Sequence, residues 1–460
     1  PAERWSRRAL GTMHPAFRLA WIALLVQPPA SALLMGYGTS RRQRHGHGAG
    51  PMMIRGDKES FADYYTRKNT GDAGAPVAVA DPAAAETEVA QKVRGVLAAA
   101  QHKYGIPADY VRMLDGFFLC YMLEVQKAGL GMAYYEDVLC QLLGHVLRLS
   151  AEPYRFEPYH VAIREPVDYY MMGVEFIRGL VDQPRSVTRG LDQIATMKEQ
   201  LAAGENVVLL ANHQTEADPQ IFSLLLDEVH PGFAASTIFV AGDRVTSDAI
   251  AMPFSMGRNL LCIYSKRHLN NPPEQRGEKQ KHNRMVMKKM LGLFKEGGTC
   301  VWVAPSGGRD RPDESGAYRV APFDAKSVEM FRLMSEKAGR KSHFYPLSMV
   351  TADVCPPPVS VGGAVGEVRV VKHAPAGLHF AGEMDLGMYE AGCLVPPMGE
   401  QPSFPVDCAP GDRDALRDAF ASACHAEVVR NYQALVADLT AEEAADEEEA
   451  EERVMEEQEE

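Results

Sequence analysis

No C-x-x-C pair occurs among the eight cysteines, which stand at positions 120, 140, 262, 300, 355, 393, 408 and 424 without a repeated spacing. Neither a zinc ribbon nor a disulfide framework is signalled. N-x-S/T sequons are also absent, which fits a reducing compartment. The longest clean apolar run near the start, Leu19–Val26, has eight residues, far short of the roughly 18 to 20 that span a bilayer. No transmembrane helix is expected. There is no G-x-x-x-x-G-K-[ST], G-x-S-x-G or H-E-x-x-H, and the glycines at 362, 363 and 366 do not make G-x-G-x-x-G. Kinase, P-loop ATPase, α/β-hydrolase and zincin readings lose their usual support. Positive charge is not in excess either. The net charge is −13, but residues 442–460 carry twelve Asp/Glu against the single Arg453, leaving about −2 for the rest. Nucleic acid is therefore not an expected partner.

The chain of 460 residues has 46% apolar and 24% charged residues, enough to bury a large core. Residues 1–50 hold seven arginines, no lysine and one acid, Glu3, with a short apolar patch. That is the composition of a targeting segment, cleaved or disordered, over 1–55. A linker follows over 56–85, ending in the Gly/Ala/Pro stretch Gly71–Ala85. Helical spacing, as at Val89, Val93, Val96 and Leu97, then predicts a small helical bundle over 86–150. From 151 to 430 short β-branched runs alternate with amphipathic helices. The expected strands are Val207–Ala211, Thr237–Ala241, Leu260–Tyr264, Cys300–Ala304 and Phe344–Val350. Such alternation predicts an α/β domain, a mixed sheet covered by helices on both faces. Residues 431–460 read as a helix end and a disordered acidic tail.

Each expected strand runs straight into polar residues, and in open α/β sheets the ligand crevice lies beyond the carboxyl ends of the strands. The sharpest such sequence is NHQTEADP, Asn212–Pro219. His213 and Asp218, five apart, cannot share a helical face, but a turn can fold them together. The carboxylate then accepts the proton on one imidazole nitrogen and leaves the other as a base. Asp218 before Pro219 also reads as a helix N-cap, and one carboxylate can serve both roles. A basic cluster follows another strand: Arg309 and Arg311, after Ser306-Gly307-Gly308, can aim at one anion such as a phosphate, with Lys266, Arg267 and His268 closing the clamp. The plain alternative is a surface loop whose arginines pair with Asp310 and Asp313.

NHQTEADP resembles the H-x-x-x-x-D block of the glycerolipid acyltransferases. The further blocks AGDRV, IYSKRH, APSGGRDRPD and YPLSM resemble, in order, those of the soluble plastid glycerol-3-phosphate acyltransferases. The similarity covers about residues 87–430. It implies a stromal chloroplast enzyme that transfers a fatty acyl group from acyl-carrier protein or acyl-CoA to the sn-1 hydroxyl of glycerol 3-phosphate, without a metal or cofactor. It assigns His213 and Asp218 to catalysis, and Arg309, Arg311, His268 and the residue before it to the phosphate. That residue is usually Lys; here it is Arg267, with Lys266 one place earlier. The alternatives are a 1-acylglycerol-3-phosphate acyltransferase and a non-catalytic phospholipid-binding relative. Oxyanion donors are sought in the backbone of Ser306–Gly308. Residues 266–295 carry nine Lys/Arg against two acids, and the segment 276–295 is the expected docking surface for an acidic carrier protein.

Overall fold

The computed structural model describes residues 88–357, 369–384 and 413–459. The expected targeting segment and linker lie outside them. The first described elements are three helices, α1 (Glu88–Tyr104), α2 (Ala108–Lys127) and α3 (Met132–Ala151). Their apolar positions recur every three or four residues, and α2 alone buries Tyr110, Leu114, Phe117, Phe118, Tyr121 and Val125. Fully burying one such Phe or Leu contributes about 1.5 to 3 kcal/mol. This apolar cluster runs on into helices α4 (Tyr169–Arg178), α6 (Asp218–Leu226) and α7 (Ala251–Met256). Tyr121 anchors the contact by donating to the Phe176 carbonyl at 2.9 Å, with the two rings stacked.

The remaining strands and helices build one sheet of eight strands in the order β1-β5-β4-β6-β3-β9-β10-β2. Its parallel centre is β5 (Asn259–Ile263), β4 (Ile238–Gly242), β6 (Cys300–Val303), β3 (Asn206–Ala211) and β9 (Ser342–Val350). Antiparallel pairs, β1 (Tyr159–His160) on β5 and β10 (Gly377–Phe380) on β9, make it mixed; β2 (Val187–Arg189) closes the far edge alongside β10. A two-residue ribbon, β7 (Arg311–Pro312) with β8 (Tyr318–Arg319), stands apart. The centre of β3 reads Val-Val-Leu-Leu because both of its faces are covered. Val207, Leu209 and Ala211 pack with α5 (Leu191–Ala202) and α6, whereas Val208 and Leu210 pack with α8 (Arg276–Glu296) and α9 (Ala325–Ala338).

Two features differ from the sequence expectation. Helix α8 begins at Arg276, seven residues before the helix Asn283–Lys295 that the apolar spacing predicts, and the last helix, α10 (Arg413–Glu459), continues through the acidic segment expected to be a disordered tail. No Gly or Pro interrupts 413–460, and Glu, Ala, Met and Gln are strong helix formers. Like-charge neighbours cost only a few tenths of a kcal/mol per pair, too little to break such a run.

The connection after β3 leads by way of α6 to β4, while the connection after β6 leads by way of α9 to β9, in the opposite direction. The two connections cross over opposite faces of the sheet, α6 on one and α9 on the other, and such a switch leaves a crevice at the carboxyl ends of the strands, the place where ligands bind in such sheets. The polar residues after β3 and β6 meet there.

Candidate active site

Asn212, directly after β3, ties three segments together. Its Nδ2 donates to the Met349 carbonyl at 2.9 Å and to Asp310 Oδ2 at 3.0 Å, and its Oδ1 accepts from the Met349 amide at 2.8 Å. Gln214, two residues on, takes the amides of Thr351 and Ala352 on its Oε1 and donates to the Tyr432 hydroxyl of α10 at 3.1 Å. Between these two buried amides sits His213, its side chain 25% exposed. The turn is thus pinned on both sides while the imidazole faces outward.

His213 Nδ1 lies 2.7 Å from Asp218 Oδ2, the pairing expected from the spacing. Asp218 is fully buried, and its carboxylate is saturated. Oδ2 also accepts the Gln214 amide at 2.9 Å, while Oδ1 accepts the Thr215 amide at 3.2 Å and the Thr351 hydroxyl at 2.6 Å. Three donors on an acceptor-only group leave Nδ1–H to supply the fourth, so Nε2 carries the lone pair. The Trp302 ring meets the imidazole edge-on, with centroids 5.7 Å apart, and limits its rotation from the β6 side.

Asp218 does not serve as the N-cap that its place before Pro219 suggests. Asp218 is the first residue of α6, and its carboxylate turns back onto the amides of Gln214 and Thr215 instead of forward onto the helix. Asp218→Asn is accordingly expected to lower turnover by about 10²- to 10⁴-fold, because the amide no longer enforces the tautomer, while the fold survives. Asp218→Ala is expected to unsettle the turn as well, since each orphaned buried donor costs about 1 to 3 kcal/mol. Kinetics and thermal melts on both variants separate the two effects.

The loop after β6 docks on this turn through Asp310. Its amide donates to the His213 carbonyl at 2.6 Å, and its buried carboxylate accepts from Asn212 and from the Ala321 amide at 2.9 Å. Burial pushes the Asp310 carboxyl above its ordinary range, against the pull of those donors. Asp310 is thus a structural peg, and Asp313 pairs with Arg319. Arg309 lies 3.5 Å from Glu216, a residue of the same turn as His213 and Asp218. Arg311 begins β7, its Nη1 donating to the Asp310 carbonyl at 3.3 Å. Gly307, at φ 71°, makes the turn possible, but its amide already donates to the Ala304 carbonyl, which removes it from the expected oxyanion donors.

His268 lies in the short helix Lys266–Leu269 after β5, its Nδ1 3.0 Å from Asp243 Oδ1. That contact fixes the ring through Nδ1 and leaves Nε2 for a further hydrogen bond. The side chains of Lys266 and Arg267 lie outside the described residues. Among the described residues no group of three or more His, Cys, Asp or Glu could hold a metal, and no helix is long and apolar enough to cross a membrane.

Residues 193–350, which contain all of these elements from β3 to β9, match the family model described as Acyltransferase. The chain is 44% identical over 295 residues to the chloroplastic glycerol-3-phosphate acyltransferase of Arabidopsis thaliana, covering 63% of this chain and 64% of that protein. To the protein of the same name from Pisum sativum it is 37% identical over 334 residues, covering 72% of this chain and 69% of the relative. The chain belongs to the glycerol-3-phosphate acyltransferase family. The Spinacia oleracea protein of the same name is 39% identical over 292 residues, covering 63% of this chain and 62% of the relative, so the chain spans somewhat less than two thirds of two of these three relatives.

In this glycerol-3-phosphate acyltransferase family member, sequence reasoning missed the residues that hold the site in place. Thr351 and Asp243 stood at strand ends already marked as polar, but nothing local paired them with Asp218 and His268. Glu216 and Arg369 gave no signal at all. Arg369 donates to Glu216 Oε2 at 3.0 and 2.9 Å from 153 residues away, and its Nη2 lies 3.0 Å from Asp248. Burial would raise the Glu216 carboxyl, yet Arg369 and Arg309, with Arg244 beyond, hold it down at about 2.

Proposed function

We propose that the chain transfers a fatty acyl group from acyl-carrier protein or acyl-CoA to the sn-1 hydroxyl of glycerol 3-phosphate, in the plastid stroma. What supports this most is the His213–Asp218 pair, 2.7 Å apart, on the same turn as the carboxylate that faces Arg309. An alcohol does not ionise by itself at neutral pH, so a base must take its proton as it attacks. His213 Nε2 removes that proton while the oxygen adds to the thioester carbonyl, and Asp218 stabilises the imidazolium that forms. Collapse of the tetrahedral intermediate breaks the carbon–sulfur bond, and the imidazolium returns the proton to the leaving thiolate. Direct attack makes a ternary complex without an acyl-enzyme, and no metal takes part.

Arg309, Arg311 and His268, with Lys266 or Arg267, hold the phosphate and thereby place the hydroxyl at Nε2, so acceptor binding energy is used for orientation. The reading is tested with radiolabelled glycerol 3-phosphate and both acyl donors, and with 1-acylglycerol 3-phosphate as a competing acceptor. Label is expected in 1-acylglycerol 3-phosphate. Transfer only to the acylated acceptor, or no transfer, would overturn it.

Helix α8 is the proposed docking surface for acyl-carrier protein. Arg276, Lys281, Arg284, Lys288, Lys289 and Lys295 are exposed along it, and Lys281, Arg284 and Lys288 flank Met285, itself 44% exposed, at helical spacing. Lys279 is not part of this surface: it is buried and donates to the carbonyls of His268 and Asn271, bracing the His268 segment from below. Reversing Lys288 and Lys289 to Glu is expected to raise the KM for acyl-carrier protein by roughly tenfold at low salt, to spare acyl-CoA, and to matter less as salt rises. Equal effects on the two donors would return α8 to an ordinary solvated face.

A further inference from the structure

Arg369, its side chain 10% exposed, reaches the candidate site from a segment fixed elsewhere. Two residues on, the Val371 carbonyl accepts from Cys120 of α2 at 3.3 Å; the His373 amide donates to Glu124 of the same helix at 3.0 Å, and Ala374 bridges to Val181. The backbone around Arg369 is thus held by the helical region, and its guanidinium is set against two carboxylates. Asp248 is itself immobilised, its Oδ1 accepting the Ile250 and Ala251 amides at 2.9 and 3.2 Å. Glu216 divides its oxygens: Oε2 takes two donors from Arg369, while Oε1 stands 3.5 Å from Arg309 Nη1.

That division matters for an anion-binding arginine. A carboxylate free to turn would form a close forked pair with Arg309 and compete with a phosphate for the same donors. Gripped on Oε2, Glu216 offers Arg309 a single oxygen, beyond the length of a strong charge-assisted hydrogen bond. At that distance Glu216 orients the guanidinium without a close forked pair.

We propose that Arg369 is a positioning residue for acceptor binding, restraining Glu216 so that Arg309 is presented to the phosphate of the acceptor. The proposal rests on the phosphate role of Arg309 put forward above. It commits Arg369 to action through Glu216, not to contact with substrate.

The test is a double-mutant cycle on the full chain, with glycerol 3-phosphate binding read by calorimetry and turnover read with label. Arg369→Met is expected to raise the Kd and KM for glycerol 3-phosphate by about 10- to 100-fold, with kcat and the donor KM changed less than about threefold. In a Glu216→Gln background, where the competing charge is gone, the same substitution is expected to change the Kd by less than about threefold. An undiminished effect in that background, or an unchanged Kd in folded Arg369→Met, overturns the proposal. Should Arg369→Met fail to give a cooperative melt, Arg369→Lys keeps the buried charge but cannot grip both carboxylates. A severalfold rise in Kd, again absent beside Glu216→Gln, is expected for it, and an unchanged Kd overturns the proposal equally. A wild type that binds glycerol 3-phosphate but transfers no acyl group removes the proposed reaction and leaves the clamp to be judged by the cycle. Normal wild-type turnover with no effect at Arg369 removes the clamp alone.

Discussion

His213→Ala lowers turnover by about 10²- to 10⁴-fold, the span that a positioned general base contributes, and leaves the fold intact. The fold should survive because the turn is held by neighbours and not by the imidazole. Asn212 and Gln214 supply the side-chain ties to β9 and the loop after β6, and Asp218 keeps the Gln214 and Thr215 amides and the Thr351 hydroxyl when Nδ1 is gone. The side chain is one-quarter exposed, so its loss opens space to solvent and creates no closed cavity. Single-turnover kinetics alongside a thermal melt check both halves of the expectation. Near-normal turnover in a well-folded variant would remove His213 from the mechanism.

Arg309→Ala and Arg311→Ala raise the KM for glycerol 3-phosphate strongly and affect the acyl donor much less. Losing one partner of a desolvated, charge-assisted pair commonly costs about 2 to 5 kcal/mol, or roughly 30- to several thousand-fold in affinity. Arg309 should show the larger effect: its side chain is only 13% exposed and it faces Glu216 on the same turn as His213. Part of the loss should reach kcat, since an acceptor held without its clamp presents its hydroxyl poorly to Nε2. Steady-state kinetics with each substrate varied in turn separates these contributions. A rise confined to the donor KM would show that the arginine concerned serves the donor and not the phosphate.

The five central strands and the pairing of His213 with Asp218 were legible because their signals are local. Val207–Ala211 is an uninterrupted apolar run, as a strand covered on both faces must be, and it stops at Asn212 because the chain there leaves the sheet. The helical spacing of Val93, Leu97, Leu114 and Tyr121 is likewise written within a few turns of each helix. The distance of five between His213 and Asp218 excluded a shared helical face and required a turn, which the structure has.

Tertiary structure alone decided which strand ends meet and what each polar group does. The order β4-β6-β3-β9, with β3 and β6 adjacent and their connections on opposite faces of the sheet, brings Asp310 onto the His213 carbonyl across about a hundred residues of sequence. No periodicity records such a contact. Local sequence made Asp218 a cap, but the Thr351 hydroxyl and the turn amides claimed its carboxylate. It likewise made Lys279 one more surface lysine, although two carbonyls of the folded chain bury it. Arg369 carried no local sign, because the two carboxylates it meets are brought to it by the fold alone. Apolar periodicity follows from burying one face of a helix or both faces of a strand, so the sequence by itself determined the elements and where chemistry could lie. A hydrogen bond between distant segments depends on where the whole chain places its two ends, so the assignment of each donor and acceptor belonged to the tertiary structure.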